Sequence, residues 1–150
     1  MKLKIPPPVQ ALLAALLMWL LDGRMPHLAV AIPGGELLVG FFILCAVLVD
    51  GAALVAFFRA KTTVNPMLPG KASALVTTGV YRFSRNPMYL GMLCLLTAWC
   101  LWLGNPLNLV VLVLFPLAIT RFQIKPEEEV LVHLFGQEYR HYCQRVRRWI

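Results

Sequence analysis

Two short stretches of this sequence gather residues able to do chemistry together. The first runs Tyr81-Arg82-Phe83-Ser84-Arg85-Asn86-Pro87-Met88-Tyr89. Pro87 suits the first turn of a helix, where a missing N–H costs nothing, and Asn86 suits the capping position before it. Such a helix start also leaves free backbone N–H groups, which favour a carboxylate. Tyr81 and Tyr89 offer flat faces, although aromatic side chains also collect at membrane interfaces for purely structural reasons. The second stretch is Arg121-Phe122-Gln123-Ile124-Lys125-Pro126-Glu127-Glu128-Glu129. Acids beside a proline are ordinary at a helix N-terminus. Yet these three belong to only 7 acidic residues in the chain, and they follow an apolar run. A pocket combining anionic and cationic groups suits a zwitterionic or sulfonium ligand.

Asp50 lies inside an apolar run, about two turns from its end. An acid at such a depth is costly and marks function or pairing. His133 reads as a surface residue, and His27 and His141 carry no signal. Of the 4 cysteines, Cys45, Cys94 and Cys100 sit in apolar runs and Cys143 near the C-terminus, with no metal-ligand spacing, so no metal site is expected. No glycine-rich phosphate loop or Ser/His/Asp pattern is present, which argues against a soluble nucleotide-binding domain.

The elements that must position these residues follow from composition. The 150 residues are 59% hydrophobic and 14% charged, against about 45–50% and about 25% in soluble domains. So small a globule cannot hide the excess, and lipid is its natural solvent. Apolar runs predict four transmembrane helices at about 5–21, 37–58, 88–103 and 107–122. The first is short and either borrows Ile5 and the prolines or is completed by His27–Ile32 as a broken piece. Gly104-Asn105-Pro106 joins the last two spans in a tight helical hairpin. Apolar residues at Val130, Leu131, Leu134 and Phe135 predict a C-terminal amphipathic helix over Glu127 to Trp149. The fold class expected is therefore an all-α polytopic membrane protein forming one domain. Its cytoplasmic parts are the loop 59–86 and the segment 123–150.

Of the 14 Lys and Arg residues all but Arg24 fall on one side of these spans. The distribution of the net charge of +7 thus points to membrane topology rather than nucleic acid, with both termini cytoplasmic and a bacterial inner membrane as the location. A rival reading takes Met1-Lys2-Leu3-Lys4 and the following apolar run as a signal peptide ending at Ala29-Val30-Ala31. Asp22, Arg24 and Pro26 intrude between run and site.

Over Thr62 to Val146 the chain resembles the isoprenylcysteine carboxyl methyltransferase family and its bacterial relatives, which in turn resemble phospholipid methyltransferases. One block is Leu75-Val76-Thr77-Thr78-Gly79-Val80-Tyr81 with Arg85-Asn86-Pro87-Met88-Tyr89-Leu90-Gly91. The other is Glu127-Glu128, Leu131, Phe135-Gly136-Gln137-Glu138-Tyr139, Tyr142 and Arg145-Val146. The resemblance implies a membrane-embedded methyltransferase using S-adenosylmethionine. Matched position by position, the cofactor would contact Ser73, Ala74, Leu75 and Val76, then Tyr81, then Asn86, Pro87, Met88 and Tyr89, and finally Glu127. Glu128 would serve as base for an amine acceptor, and Arg121 would hold an anionic head group. The chain departs from eukaryotic members in carrying Asn86 where they have His, and Gln123 where they have a substrate-binding Arg. The acceptor stays open between carboxylate, phospholipid amine and small thiol. A non-catalytic transport subunit or scaffold is the rival class. No nucleic-acid partner is expected.

Overall fold

The computed structural model describes residues 5–60 and 74–150. These form five α-helices and no strand among the described residues: α1 (Pro7–Arg24), α2 (Gly35–Ala60), α3 (Pro87–Leu103), α4 (Asn108–Ile119) and α5 (Lys125–Arg145). The expected all-helical class is therefore found. Helix α2 and the continuous helical rod Asn108–Arg145 are long and apolar enough to cross a membrane, and α3 is a shorter apolar helix. Large apolar side chains on the outer faces remain uncovered, among them Leu12, Leu37, Phe41, Leu48, Val113 and Leu117. A bilayer removes that surface from water where a small core cannot.

The first helix is not among those long and apolar enough to cross a membrane by length and composition. It starts at Pro7, buried at the first turn, and runs to Arg24. His27–Ile32 does not extend it. A 3₁₀ turn at Pro26–Leu28 gives way to extended backbone, and the Val30 N–H donates to the Gly104 carbonyl at 3.0 Å. Gly104 closes α3 in the left-handed region at φ 66°, and a Cβ there would meet the Val30 carbonyl oxygen at 2.6 Å. Glycine is thus required both for the turn and for the approach of the neighbouring chain. Asn105 is buried beside it. Its Nδ2 donates to the Met25 carbonyl at 3.0 Å and its Oδ1 accepts from the Leu107 N–H at 3.1 Å. One amide therefore ties the end of α1 to the α3–α4 hairpin.

Two packing seams flank α3. On one side Met18, Leu96, Cys100, Val111, Phe115 and Ile119 form the main core with α1 and α4. On the other, Ala46, Ala53 and Ala56 are the buried residues of α2. Small side chains allow close helix approach in lipid, where packing rather than the hydrophobic effect draws helices together.

The rod that follows is less regular than its apolar pattern predicts. Between α4 and α5, Thr120–Ile124 adopts π-helical geometry. Pro126 has no N–H to return to the Phe122 carbonyl, and a widened turn relieves the ring's clash with that group. At Gly136 the backbone of α5 turns to φ 52°, ψ −121°. The expected helix to Trp149 stops at Arg145, and Val146 is extended. The residues after it find other hydrogen-bond partners, which belong to the site.

Candidate functional site

The two chemistry-bearing stretches meet where α3 begins and α5 departs. Tyr89, on the first turn of α3, donates its hydroxyl to Glu127 Oε2 at 2.8 Å. Glu128 next to it is gripped from two sides. Arg85 Nη1 lies 3.0 Å from Oε1, while Arg148 approaches with Nε at 3.0 Å and Nη2 at 2.7 Å. The Arg148 fork is the planar two-bond geometry that makes guanidinium–carboxylate pairs strong.

Asn86 stands at the capping position of α3, but its side chain does not cap the helix. It donates Nδ2 to the Arg148 carbonyl at 2.9 Å instead. The Arg85 N–H donates to the Arg147 carbonyl at 3.0 Å, and Trp149 Nε1 donates to Thr120 Oγ1 at 3.1 Å. The C-terminal tail therefore lies across the start of α3 as a strap. Its groups take the hydrogen bonds that an unbroken helix would have kept internal.

The residues before α3 form the opposite wall. Val76 and Tyr81 are buried against Ala53 and Ala56 of α2, with Met88 packed beside them. Tyr81 meets Phe57 edge to face at 5.5 Å, and its carbonyl accepts the Tyr142 hydroxyl at 2.7 Å. Leu75 packs on Tyr139, Tyr142 and Val146. Ala74 is half-buried at the start of this wall, and Pro87 is buried at its end. Ser73 lies outside the described residues. A cavity of about 240 Å³ opens on this seam between Thr77, Arg82, Tyr142, Arg145 and Val146.

Burial sets the electrostatics. It pushes the Glu127 carboxyl up to about 7. The Tyr89 hydrogen bond opposes that rise and the neighbouring charge of Glu128 adds to it. Burial also raises the phenols of Tyr81 and Tyr142. The Arg148 guanidinium is raised by its hydrogen bonds to Glu128, against a smaller opposing effect of burial. Gln123, in the π turn, is 1% exposed, and its Nε2 lies by the Tyr89 phenol without a well-formed hydrogen bond. A poorly satisfied buried donor costs on the order of 1–3 kcal/mol unless a ligand accepts from it.

Of the residues singled out in the sequence, Asn86, Pro87, Tyr89, Glu127 and Glu128 converge, and Leu75, Val76, Tyr81 and Met88 line the adjoining wall. Arg121 stands apart, exposed on the π turn and in neither of the ion pairs found among the described residues. Four contributors were not anticipated: Arg85, Arg148, Trp149 and the buried donor of Gln123. Arg85 adjoins Asn86 in sequence and was legible as a cation facing three acids. Arg148 and Trp149 were hidden because the amphipathic pattern carried the helix through them.

The comparisons with known proteins fit this geometry. The phospholipid methyltransferase family model matches residues 35–138, from the start of α2 into α5. An uncharacterized protein of Haemophilus influenzae is 52% identical over 63 residues, 42% of this chain and 100% of that protein. The protein-S-isoprenylcysteine O-methyltransferase of Rattus norvegicus is 36% identical over 95 residues, 61% of this chain and 34% of the relative. That of Saccharomyces cerevisiae is 39% identical over 72 residues, 48% and 30% respectively. The chain thus spans about a third of the length of these two methyltransferases. No solved structure matches it.

The Glu127 shift makes a prediction with a definite sign. Between the ordinary value of 4.5 and about 7 the folded protein keeps a proton that the unfolded chain releases. Where the native state binds more protons, stability falls as pH rises. A shift of this size is on the order of 3 kcal/mol. Unfolding in detergent, followed from pH 4.5 to 7, should show a decline that Glu127→Gln flattens. Parallel curves for the two proteins would remove Glu127 from the buried set.

Proposed function

The chain belongs to the phospholipid methyltransferase family, and on that premise we propose that it is an integral membrane enzyme using S-adenosylmethionine to methylate a lipophilic or small-molecule acceptor. The hydrogen bond from Tyr89 to Glu127 carries the reading, because it joins the two blocks of the methyltransferase resemblance across the helical hairpin. When bound, S-adenosylmethionine supplies a methyl group activated by a positive sulfur.

The residues present fit such a group. Glu127 can accept from a ligand donor beside Tyr89, and the buried Gln123 Nε2 can donate to a ligand acceptor. An amino acid moiety bearing both would satisfy them. A carboxylate held against the sulfonium would stabilise the ground state more than the transition state, in which that charge disperses. Glu127 therefore serves the amino or ribose end. Ala74, Leu75, Val76, Tyr81, Asn86, Pro87, Met88 and Tyr89 form the walls that orient the donor and exclude water, and the resemblance adds Ser73 to the contacts. Glu128, assigned from the resemblance as a base, faces two guanidinium groups. We give it the role of holding the strap and the start of α3 together.

The membrane reading extends to topology. Four crossings by α1, α2, α3 and the α4 part of the rod place both termini, the loop before α3 and the site in the cytoplasm. The inner membrane of a bacterium is the proposed location. A fusion at Ile150 to a reporter active only outside the cytoplasm should be silent, and strong activity would reverse the orientation.

The cofactor assignment is tested by titrating the detergent-purified protein with S-adenosylhomocysteine. Saturable binding is expected. Glu127→Gln should weaken it roughly tenfold to a hundredfold, the value of a charge-assisted hydrogen bond of about 1.5–3 kcal/mol. A wild type that does not bind would favour a non-catalytic membrane protein.

Arg121 is exposed at the level where the rod leaves the apolar zone, within reach of an anionic head group. We assign it to a two-pronged grip on a carboxylate or phosphate, which lysine cannot reproduce. Arg121→Lys should reduce turnover about tenfold or more while leaving the homocysteine titration unchanged. Normal turnover would reduce Arg121 to a marker of the helix end.

A further inference from the structure

Asp50 is the one acidic side chain among the described residues set into the seam between α2 and α3. Its Oδ1 is buried and has no hydrogen-bond partner. Neither ion pair among the described residues involves it, since both belong to Glu128. The carboxyl group rests against Gly91 of α3, and a Cβ at position 91 would collide with all three of its outer atoms. The neighbouring helix is therefore cut away where the acid enters. Leaving an acid unpaired in such a place is costly, and in membrane proteins it marks a ligand pathway by default.

Its depth gives it a place in the reaction. Met88 and Gly91 are three residues apart and share one face of α3. Met88 belongs to the wall proposed for the methyl donor, and Gly91 lies one turn deeper into the apolar zone. Asp50 thus sits just below the donor walls, on the side from which a lipophilic acceptor arrives. It retains partial exposure, so a ligand can reach it. The two acids that face the start of α3 are engaged, Glu127 by Tyr89 and Glu128 by Arg85 and Arg148, and Glu129 is exposed.

We propose that Asp50 is the proton-accepting carboxylate for an acceptor whose nucleophile carries a proton, an amine or a thiol, which it receives in the notch made by Gly91. This rests on the methyltransferase reading. In the step, the acceptor's nitrogen or sulfur forms a bond to the methyl carbon. The electron pair of the breaking sulfur–methyl bond stays on the donor sulfur, which leaves as a neutral thioether. The acceptor's proton passes to the Asp50 carboxylate and later to solvent. A carboxylate acceptor has no proton to lose and would leave Asp50 without this task.

The test uses the full-length protein in detergent with three probes: decylamine, decanethiol, and a lipophilic nitro-substituted arylthiol that is already a thiolate at neutral pH. The first two need a base and the third does not. Wild type should methylate at least one of the first two. Asp50→Asn should lower that rate about a hundredfold or more, the usual worth of a positioned base. It should leave methylation of the arylthiol within threefold and the S-adenosylhomocysteine affinity unchanged. Binding gives a second readout, since decylamine should raise the thermal midpoint of the wild type but not of Asp50→Asn. Gly91→Ala, which pushes the carboxyl group out of its notch, should reproduce the selective loss and carries the test if Asp50→Asn does not fold. Equal loss on all three probes, no loss on the protic ones, or a cofactor-binding wild type that methylates neither amine nor thiol would overturn the proposal. A wild type that fails to bind S-adenosylhomocysteine would instead remove the methyltransferase reading beneath it.

Discussion

The grip of Arg85 and Arg148 on Glu128 is the contact on which the site-bearing half of the molecule depends. Glu128 rides on the first turn of α5, Arg85 ends the segment before α3, and Arg148 belongs to the C-terminal tail. Three parts of the chain distant in sequence are thereby fixed to one carboxylate. The pair is only partly exposed, with side-chain accessibilities of 12% and 18% for Arg85 and Glu128. Removing one partner from a buried pair costs about 3–5 kcal/mol, because the remaining charge is left uncompensated. Here the loss of Glu128 would strand two guanidinium groups. The hydrogen bonds of Asn86 and Arg85 to the tail backbone follow from this anchor.

The helices were legible because their signals are strong and local. Apolar runs marked α2, α3 and α4, and Pro87 and Gly104 marked the two ends of α3. Residue type also revealed the acids and the tyrosines of the site. Less was legible where a local preference lost to a tertiary partner. Asn86 is a good capping residue by type, yet the Arg148 carbonyl takes its side chain. The tail after Arg145 looks helical by pattern, yet Val146 turns extended so that Arg147, Arg148 and Trp149 can reach Arg85, Glu128 and Thr120. His27–Ile32 reads as a membrane fragment, while its backbone serves the left-handed turn at Gly104. None of these choices can be read without knowing which segment lies opposite.

The π turn shows how a single prolyl ring shapes the site. Pro126 denies the rod one backbone hydrogen bond, and the turn before it widens. Widening rotates everything that follows relative to α4. Gln123 and Ile124 turn into the protein and become fully buried, while Arg121 and Phe122 face outward. Glu127 and Glu128 then arrive on the side of α3. In a regular helix, 121 and 128 lie nearly two turns apart on one face, and a shared inward direction would be expected for both. The distortion separates them, leaving Arg121 exposed and Glu127 and Glu128 half-buried on the side of α3.

The same helix, α3, is asked to satisfy two solvents. Its start meets the Arg148 carbonyl through Asn86 and the Glu127 carboxylate through Tyr89, and its deeper turns pack Leu96 and Cys100 in the apolar core. On the proposed reading, group transfer between a water-soluble donor and a lipophilic acceptor needs such a boundary. Water must be excluded at the point of contact, yet each partner must be reached from its own phase. A polar cluster made wholly of loop residues would sit too far into water, and one made wholly within the spans would be too costly to bury. Placing the acids on the emerging part of the rod and the phenol one turn inside α3 meets both demands.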